Sequence, residues 1–162
     1  MSPPSHHARK ESVWDYPRPP RVEPTPRHIR VVFAGVTVAD THHAQRVLET
    51  SHPPVYYIPP QDVRQEFLFS SGHKTFCEFK GTAHYWNVHV ENRDAVNGAW
   101  SYPSPREGYK ILRDHIAFYI GLMDGCYVDG EKAEPQPGGF YGGWITSDIT
   151  GPFKGDRGTE GW

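Results

Sequence analysis

Between Phe76 and Tyr102 the chain alternates large aromatic and polar residues with a period of two, and this constrains the fold more than any other feature. Over residues 82–90, His84, Trp86, Val88 and Val90 fall on one face and Tyr85, Asn87 and His89 on the other. Period two is the mark of a strand, whose successive side chains point to opposite faces. Residues 75–80 read as a preceding strand turned at Gly81. Glu91-Asn92-Arg93-Asp94 is a turn cluster, and residues 95–102 return as a third strand, interrupted at Asn97-Gly98. The block predicts antiparallel aromatic strands.

The flanking sequence extends the β reading. Residues 29–33 and 36–40 form a hairpin about Ala34-Gly35. Residues 44–49 are another strand, broken by Ser51-His52-Pro53-Pro54. Residues 55–58 are a short strand ended by Pro59-Pro60, and residues 61–66 form a single helical turn. Ser104, Pro105 and Glu107 have the spacing of a helix N-terminal capping box, with Ile111, Leu112, His115, Ile116 and Tyr119 at helical spacing behind it. They predict one main helix near 105–118. Cys126-Tyr127-Val128 is a last strand, turned at Asp129-Gly130. The fold class is therefore mainly β with minor α+β character.

Three segments follow from this reading. Residues 1–27 hold seven prolines and form an N-terminal arm, disordered over 1–12 but docked through Trp14-Asp15-Tyr16-Pro17, whose aromatics are costly to leave in water. Residues 28–130 are the β domain. Residues 131–162 are rich in Gly and Pro yet hold Phe140, Tyr141, Trp144, Ile145, Ile149, Phe153 and Trp162, so they read as an ordered wrap.

Charge and composition exclude several classes. Seventeen basic and nineteen acidic residues give a formal charge of −2, without the basic footprint of a nucleic-acid binder. No apolar run approaches the ~20 residues of a membrane span, and residues 1–27 lack the apolar core of a secretory signal. Two cysteines, Cys77 and Cys126, do not make a disulfide scaffold. A reducing, cytoplasmic location is expected.

Chemistry-bearing motifs are sparse. His73, Cys77 and His84 do not match the knuckle spacing of a zinc site, so no metal and no cofactor is expected. Gly138 to Gly143 lacks the Lys-Ser/Thr of a phosphate loop. Cys77 beside His73 or His84 has the residue types of a nucleophile and base, flanked by Lys74 and Lys80, but a cysteine inside an aromatic strand is more often an inert core residue. The aromatic set is more informative. Tyr85, Trp86, Trp100 and Tyr102 come with Lys80, His84, Asn87, Asn97 and Ser101, polar residues that cores avoid. Apolar walls with a few convergent polar groups describe a small-molecule site.

Several stretches resemble one family. They are Leu48 to Tyr57 (LETSHPPVYY); the run through Cys77, Lys80, Gly81, Tyr85 and Trp86; Ala99-Trp100-Ser101-Tyr102-Pro103; and His115-Ile116-Ala117-Phe118-Tyr119. The chain is similar to the domain of unknown function 427 family, and its flanks resemble a longer subgroup with an N-terminal arm and a C-terminal extension. The resemblance implies a β-tent fold, two antiparallel sheets pinned at one edge, shared with methionine sulfoxide reductase B and the thalidomide-binding domain of cereblon. Zinc in those relatives sits on C-x-x-C knuckles, which this chain lacks, so the metal does not carry over. The family also bears a nucleotidyltransferase-like label, but no acidic metal triad beside a Gly-Ser turn is visible here.

Three functional readings follow. The first is a small-molecule-binding module using Tyr57, Lys80, Tyr85, Trp86, Trp100 and Tyr102. The second is an enzyme of unknown class drawing on Glu49, Cys77, Lys80, Tyr85 or His115. The third is an interaction module, a homodimer formed through the terminal arms.

Overall fold

In a computed structural model of the chain, residues 10–138 and 141–155 are described. The early strands are β1 (Glu11–Ser12), β2 (Arg21–Thr25), β3 (Ile29–Phe33), β4 (Val36–Thr41), β5 (Ala44–Leu48) and β6 (Val55–Tyr57). The centre holds β7 (Leu68–Cys77), β8 (Gly81–Val90), β9 (Arg93–Ser101) and β10 (Ile116–Phe118). The last are β11 (Gly125–Val128), β12 (Glu131–Lys132), β13 (Glu134–Pro135), β14 (Trp144–Ile145) and β15 (Ile149–Thr150). No α-helix occurs among the described residues, so none is long and apolar enough to cross a membrane. The protein is mainly β, as the alternation requires.

Two layers enclose the main core. One is the antiparallel sheet β12-β11-β3-β4, whose hairpin turns at Ala34 and Gly35. Both turn residues have positive φ, 51° and 75°, the conformation a two-residue hairpin of right-handed twist demands. The other layer combines β10-β9-β8-β7 with β2-β5-β6. Ile58 and Ile116 exchange two backbone hydrogen bonds of 2.8 Å and link the two sheets edge to edge. Alternation then sorts the side chains. Tyr56, Val88, Val90, Ala99, Ile116 and Phe118 enter the main core with Ile29, Val31, Phe33 and Cys126. Tyr57, Ala83, Trp100, Tyr102 and Ala117 leave by the opposite face and pack with Val47 and Leu112 into a second cluster.

The helix expected near 105–118 does not form. Pro105 and Glu107 sit in an irregular segment, a single 3-10 turn spans Lys110–Leu112, and Ile116–Phe118 pairs antiparallel with Ser101–Ala99. Gly108 at φ 93° and Asp114 at φ 59° bend the chain into the left-handed region on both sides of that turn. Strand pairing with β9 therefore overrides the local capping signals. Residues 61–66 likewise resolve into two 3-10 turns, Pro60–Asp62 and Gln65–Phe67.

The two ends of the described chain meet. The disorder expected over 1–12 lies outside the described residues for 1–9, whereas Glu11–Ser12 pairs in parallel with Ile149–Thr150. Val13 and Tyr16, not the exposed Trp14, bury against Leu48 and Ile149. Tyr16 Oη donates to Glu11 Oε1 at 2.7 Å, and Arg46 grips both Glu11 oxygens at 2.9 Å, which holds that carboxyl below the usual glutamate range. In the described wrap, Trp144 is fully buried against Tyr56; Phe140 and Trp162 lie outside the described residues.

Candidate functional site

Register decides which aromatics share a face. Tyr85 lies opposite Trp100, and Trp86 opposite Ala99. Tyr85 and Trp100 therefore project from one side of the sheet and Trp86 from the other, where it packs on the main core and donates Nε1 to Ser101 Oγ at 3.0 Å. Of the six residues expected to line one pocket, Tyr57, Tyr85, Trp100 and Tyr102 come together and Trp86 does not. Lys80, at the β7–β8 turn, joins them from the side, its Nζ 5.9 Å from the Tyr102 ring centroid.

The cluster has a sealed floor and an open edge. Trp100 is 7% exposed, and its Nε1 donates to Tyr57 Oη at 3.2 Å. Gly142 of the wrap lies against the indole so closely that a Cβ there would overlap it. Burial pushes the Tyr57 and Tyr102 phenols well above the ordinary tyrosine range, so both stay neutral hydrogen-bonding groups. Tyr119 and Tyr85 form the edge. Tyr119 packs 4.4 Å from Trp100, centroid to centroid, and stacks on Tyr85 at 6.4 Å. Sequence reading missed Tyr119 because it follows β10 in a segment expected to be helical.

At that edge a cavity of about 360 Å³ opens between Val96, Asn97, Tyr119, Leu122, Pro135, Gln136 and Tyr141. Its polar groups are amides and phenols. Asn97 stands where β9 bulges, at φ 54°, and its backbone N–H donates to Asn87 Oδ1 at 2.9 Å. Gln136 is buried, pairs with His52 Nδ1 at 3.0 Å and donates to the Lys154 carbonyl at 2.8 Å. His52 in turn meets the Tyr141 ring edge-on at 5.2 Å.

Burial holds the His52 imidazole below the ordinary histidine range, against the opposing pull of Glu49. The folded protein thus binds this proton less readily than the unfolded chain, whose histidines titrate near about 6.5. Stability from this site is present above that value and falls as pH drops through it toward the folded pKa. An NMR titration should place the His52 midpoint below about 6.5, the ordinary histidine value. His52→Gln should flatten part of the loss of urea stability between pH 7.5 and 5.5; an unchanged slope contradicts the assignment.

The catalytic candidates keep separate partners, although Lys80, Cys77 and Tyr85 all lie within electrostatic reach of Tyr102. Glu49 pairs with Arg18 at 3.4 Å, and His115 Nδ1 bonds the Arg113 carbonyl at 3.1 Å. Among the described residues no hydrogen bond or ion pair joins Glu49, Cys77, Lys80, Tyr85 and His115 to one another. Cys77 packs on the Trp100 side, and His73 lies 4.7 Å from the Tyr85 ring, while His84 projects from the other face of β8. Cys126 is buried, which pushes its thiol up and leaves it inert. Among the described residues no group of three or more His, Cys, Asp or Glu is placed to hold a metal ion.

A family model described as domain of unknown function DUF427 matches residues 21–129. The chain belongs to the DUF427 family. No curated protein matches it. The DUF427 match runs from β2 to just past β11 and contains Tyr57, Tyr85, Trp100, Tyr102 and Tyr119. Pro135, Gln136 and Tyr141 lie beyond it. The cavity therefore has one wall from the DUF427 segment and one from the wrap.

Proposed function

We propose that this DUF427 protein is a small-molecule-binding module whose pocket is the cavity at the Tyr119 edge of the aromatic cluster. One observation carries the reading: a cavity of about 360 Å³ with mostly apolar and aromatic walls and two side-chain amides, Asn97 and Gln136. Ligand sites commonly have volumes of roughly 300–1,000 Å³ and that kind of lining. The neutral phenols beneath it favour recognition over proton transfer, which needs groups that titrate near the working pH.

Thermal shift across a metabolite library tests the reading, with Val96→Arg as control. Val96 is 64% exposed on the cavity lip, so an arginine there obstructs the opening without disturbing the core. A ligand at about 100 times its Kd should add about 2.7 kcal/mol of stability. Val96→Arg should abolish that gain and leave the unliganded Tm unchanged. Hits indifferent to Val96→Arg, or no hit across broad chemistry, overturn the proposal.

A further inference from the structure

The wrap wall of the cavity hangs on one amide whose orientation is not free. Gln136 is 3% exposed and lines the cavity. Its Nε2 donates to the Lys154 carbonyl at 2.8 Å, and its Oε1 accepts from Gly143 N at 3.3 Å. A carbonyl only accepts and a backbone N–H only donates, so these two partners fix which end of the amide is which. The third contact is then dictated. Gln136 Nε2 lies 3.0 Å from His52 Nδ1, and an amide nitrogen is donor only, so Nδ1 accepts. His52 is thereby held as the neutral tautomer with its hydrogen on Nε2. A proton on Nδ1 would turn this bond into a meeting of two donors. Turning the amide end for end gives no relief, because Oε1 would then face the Lys154 carbonyl and Nε2 the Gly143 N–H. A histidine beside an amide ordinarily gains by protonating, since the amide oxygen can accept; here the oxygen faces away.

Charges around the ring oppose one another. Glu49 favours the proton, Arg18 and Lys154 disfavour it, and Glu49 is already paired with Arg18 at 3.4 Å. Burial acts on the same side as the donor conflict. His52 also meets the Tyr141 ring edge-on at 5.2 Å, so it touches two of the three wrap residues that line the cavity. We propose that His52 is a proton-operated latch on this cavity: neutral, it holds the wrap wall through Gln136 and Tyr141; protonated, it releases that wall and weakens ligand binding. The inference rests on the reading of the cavity as a ligand pocket. Affinity is full where His52 is neutral and falls, by at most about tenfold per pH unit, as pH drops through a folded midpoint below about 6.5. The coupling is reciprocal, so a bound ligand holds the proton off His52.

NMR of the full chain, from pH 7.5 down through the His52 midpoint, tests the latch without a ligand. The Gln136 side-chain NH2 and the Gly143 amide should shift with the same midpoint as the His52 ring. The amide of Val31, in the main core, should hold still, which separates release of the wall from unfolding. His52→Asn supplies a non-titrating acceptor near the place of Nδ1, so it should leave the Gln136 signal in place and abolish its midpoint. Gln136 signals that ignore the His52 midpoint, or that keep it in His52→Asn, overturn the latch. Indole, a neutral ring that does not titrate in this range, then reads the coupling through the amides of Val96 and Tyr119. One pH unit below the His52 midpoint the wild type should bind it several-fold more weakly than at pH 7.5, up to about tenfold, and His52→Asn equally at both. Equal affinity in the wild type overturns the coupling and leaves the pocket standing. If indole moves neither amide at either pH, the pocket reading itself fails, and the Gln136 midpoint still decides the latch.

Discussion

Arg27→Met is expected to lower the stability of this protein by about 3–5 kcal/mol, the usual cost of stripping one partner from a buried ion pair. Arg27 is 9% exposed and forks between two carboxylates, Nε to Asp129 Oδ2 and Nη1 to Asp148 Oδ2, each at 2.8 Å. Asp148 is 5% exposed, so it has little access to solvent once the guanidinium is gone. Thr146 Oγ1 still donates to it at 2.5 Å, but a hydroxyl does not neutralise a carboxylate. Urea denaturation gives the measurement. Adding Asp148→Asn to Arg27→Met removes the stranded charge and should recover part of the loss, which a purely steric effect of methionine would not allow. A single-variant cost under about 1 kcal/mol would place this pair with surface bridges.

Trp100→Ala should cost a comparable amount, about 3–5 kcal/mol, the range for deleting a large buried aromatic. The indole fills the middle of the second cluster, between Tyr57, Tyr85, Tyr119 and the backbone of Gly142. Its removal also strips Tyr57 Oη of a donor. Trp86→Ala should cost less, because that ring is only partly buried. Thermal and urea melts of both variants decide the order, and a Trp100→Ala protein as stable as wild type would sink the assignment. The result bears on function. Loss of a ligand in Trp100→Ala would report collapse of the wall behind the cavity, whereas Val96→Arg touches the cavity itself.

The strands were legible because their signals are local. Alternation over residues 82–90, the tight turn at Ala34-Gly35 and the interruption at Asn97-Gly98 each match what forms, the last as a register shift between Trp86 and Val88. Residues 105–118 misled for the opposite reason. The capping pattern at Ser104, Pro105 and Glu107 is local, but the partner that draws Ile116–Phe118 into a strand is β9, some fifteen residues upstream. The candidate site was half legible. Two tryptophans on neighbouring strands face the same way or opposite ways according to a one-residue register, and alternation within each strand does not fix that register. The second wall of the cavity, Pro135, Gln136 and Tyr141, belongs to a stretch with no periodic pattern to announce it.

The parallel pairing of Glu11–Ser12 with Ile149–Thr150 has a consequence for how the molecule is made. Trp14 Nε1 also reaches the Pro152 carbonyl, at 3.0 Å and a sequence separation of 138. On a ribosome the first of these partners is synthesised long before the second. The seam closes only after about 150 residues have cleared the exit tunnel, and chain synthesis runs at roughly 5–20 residues per second. During that interval Leu48 and Val13 lack the cover that Ile149 later provides. High contact order of this kind slows folding and prolongs exposure of apolar surface. The cavity likewise waits for Tyr141 and for Gly142, which lies against Trp100, to emerge.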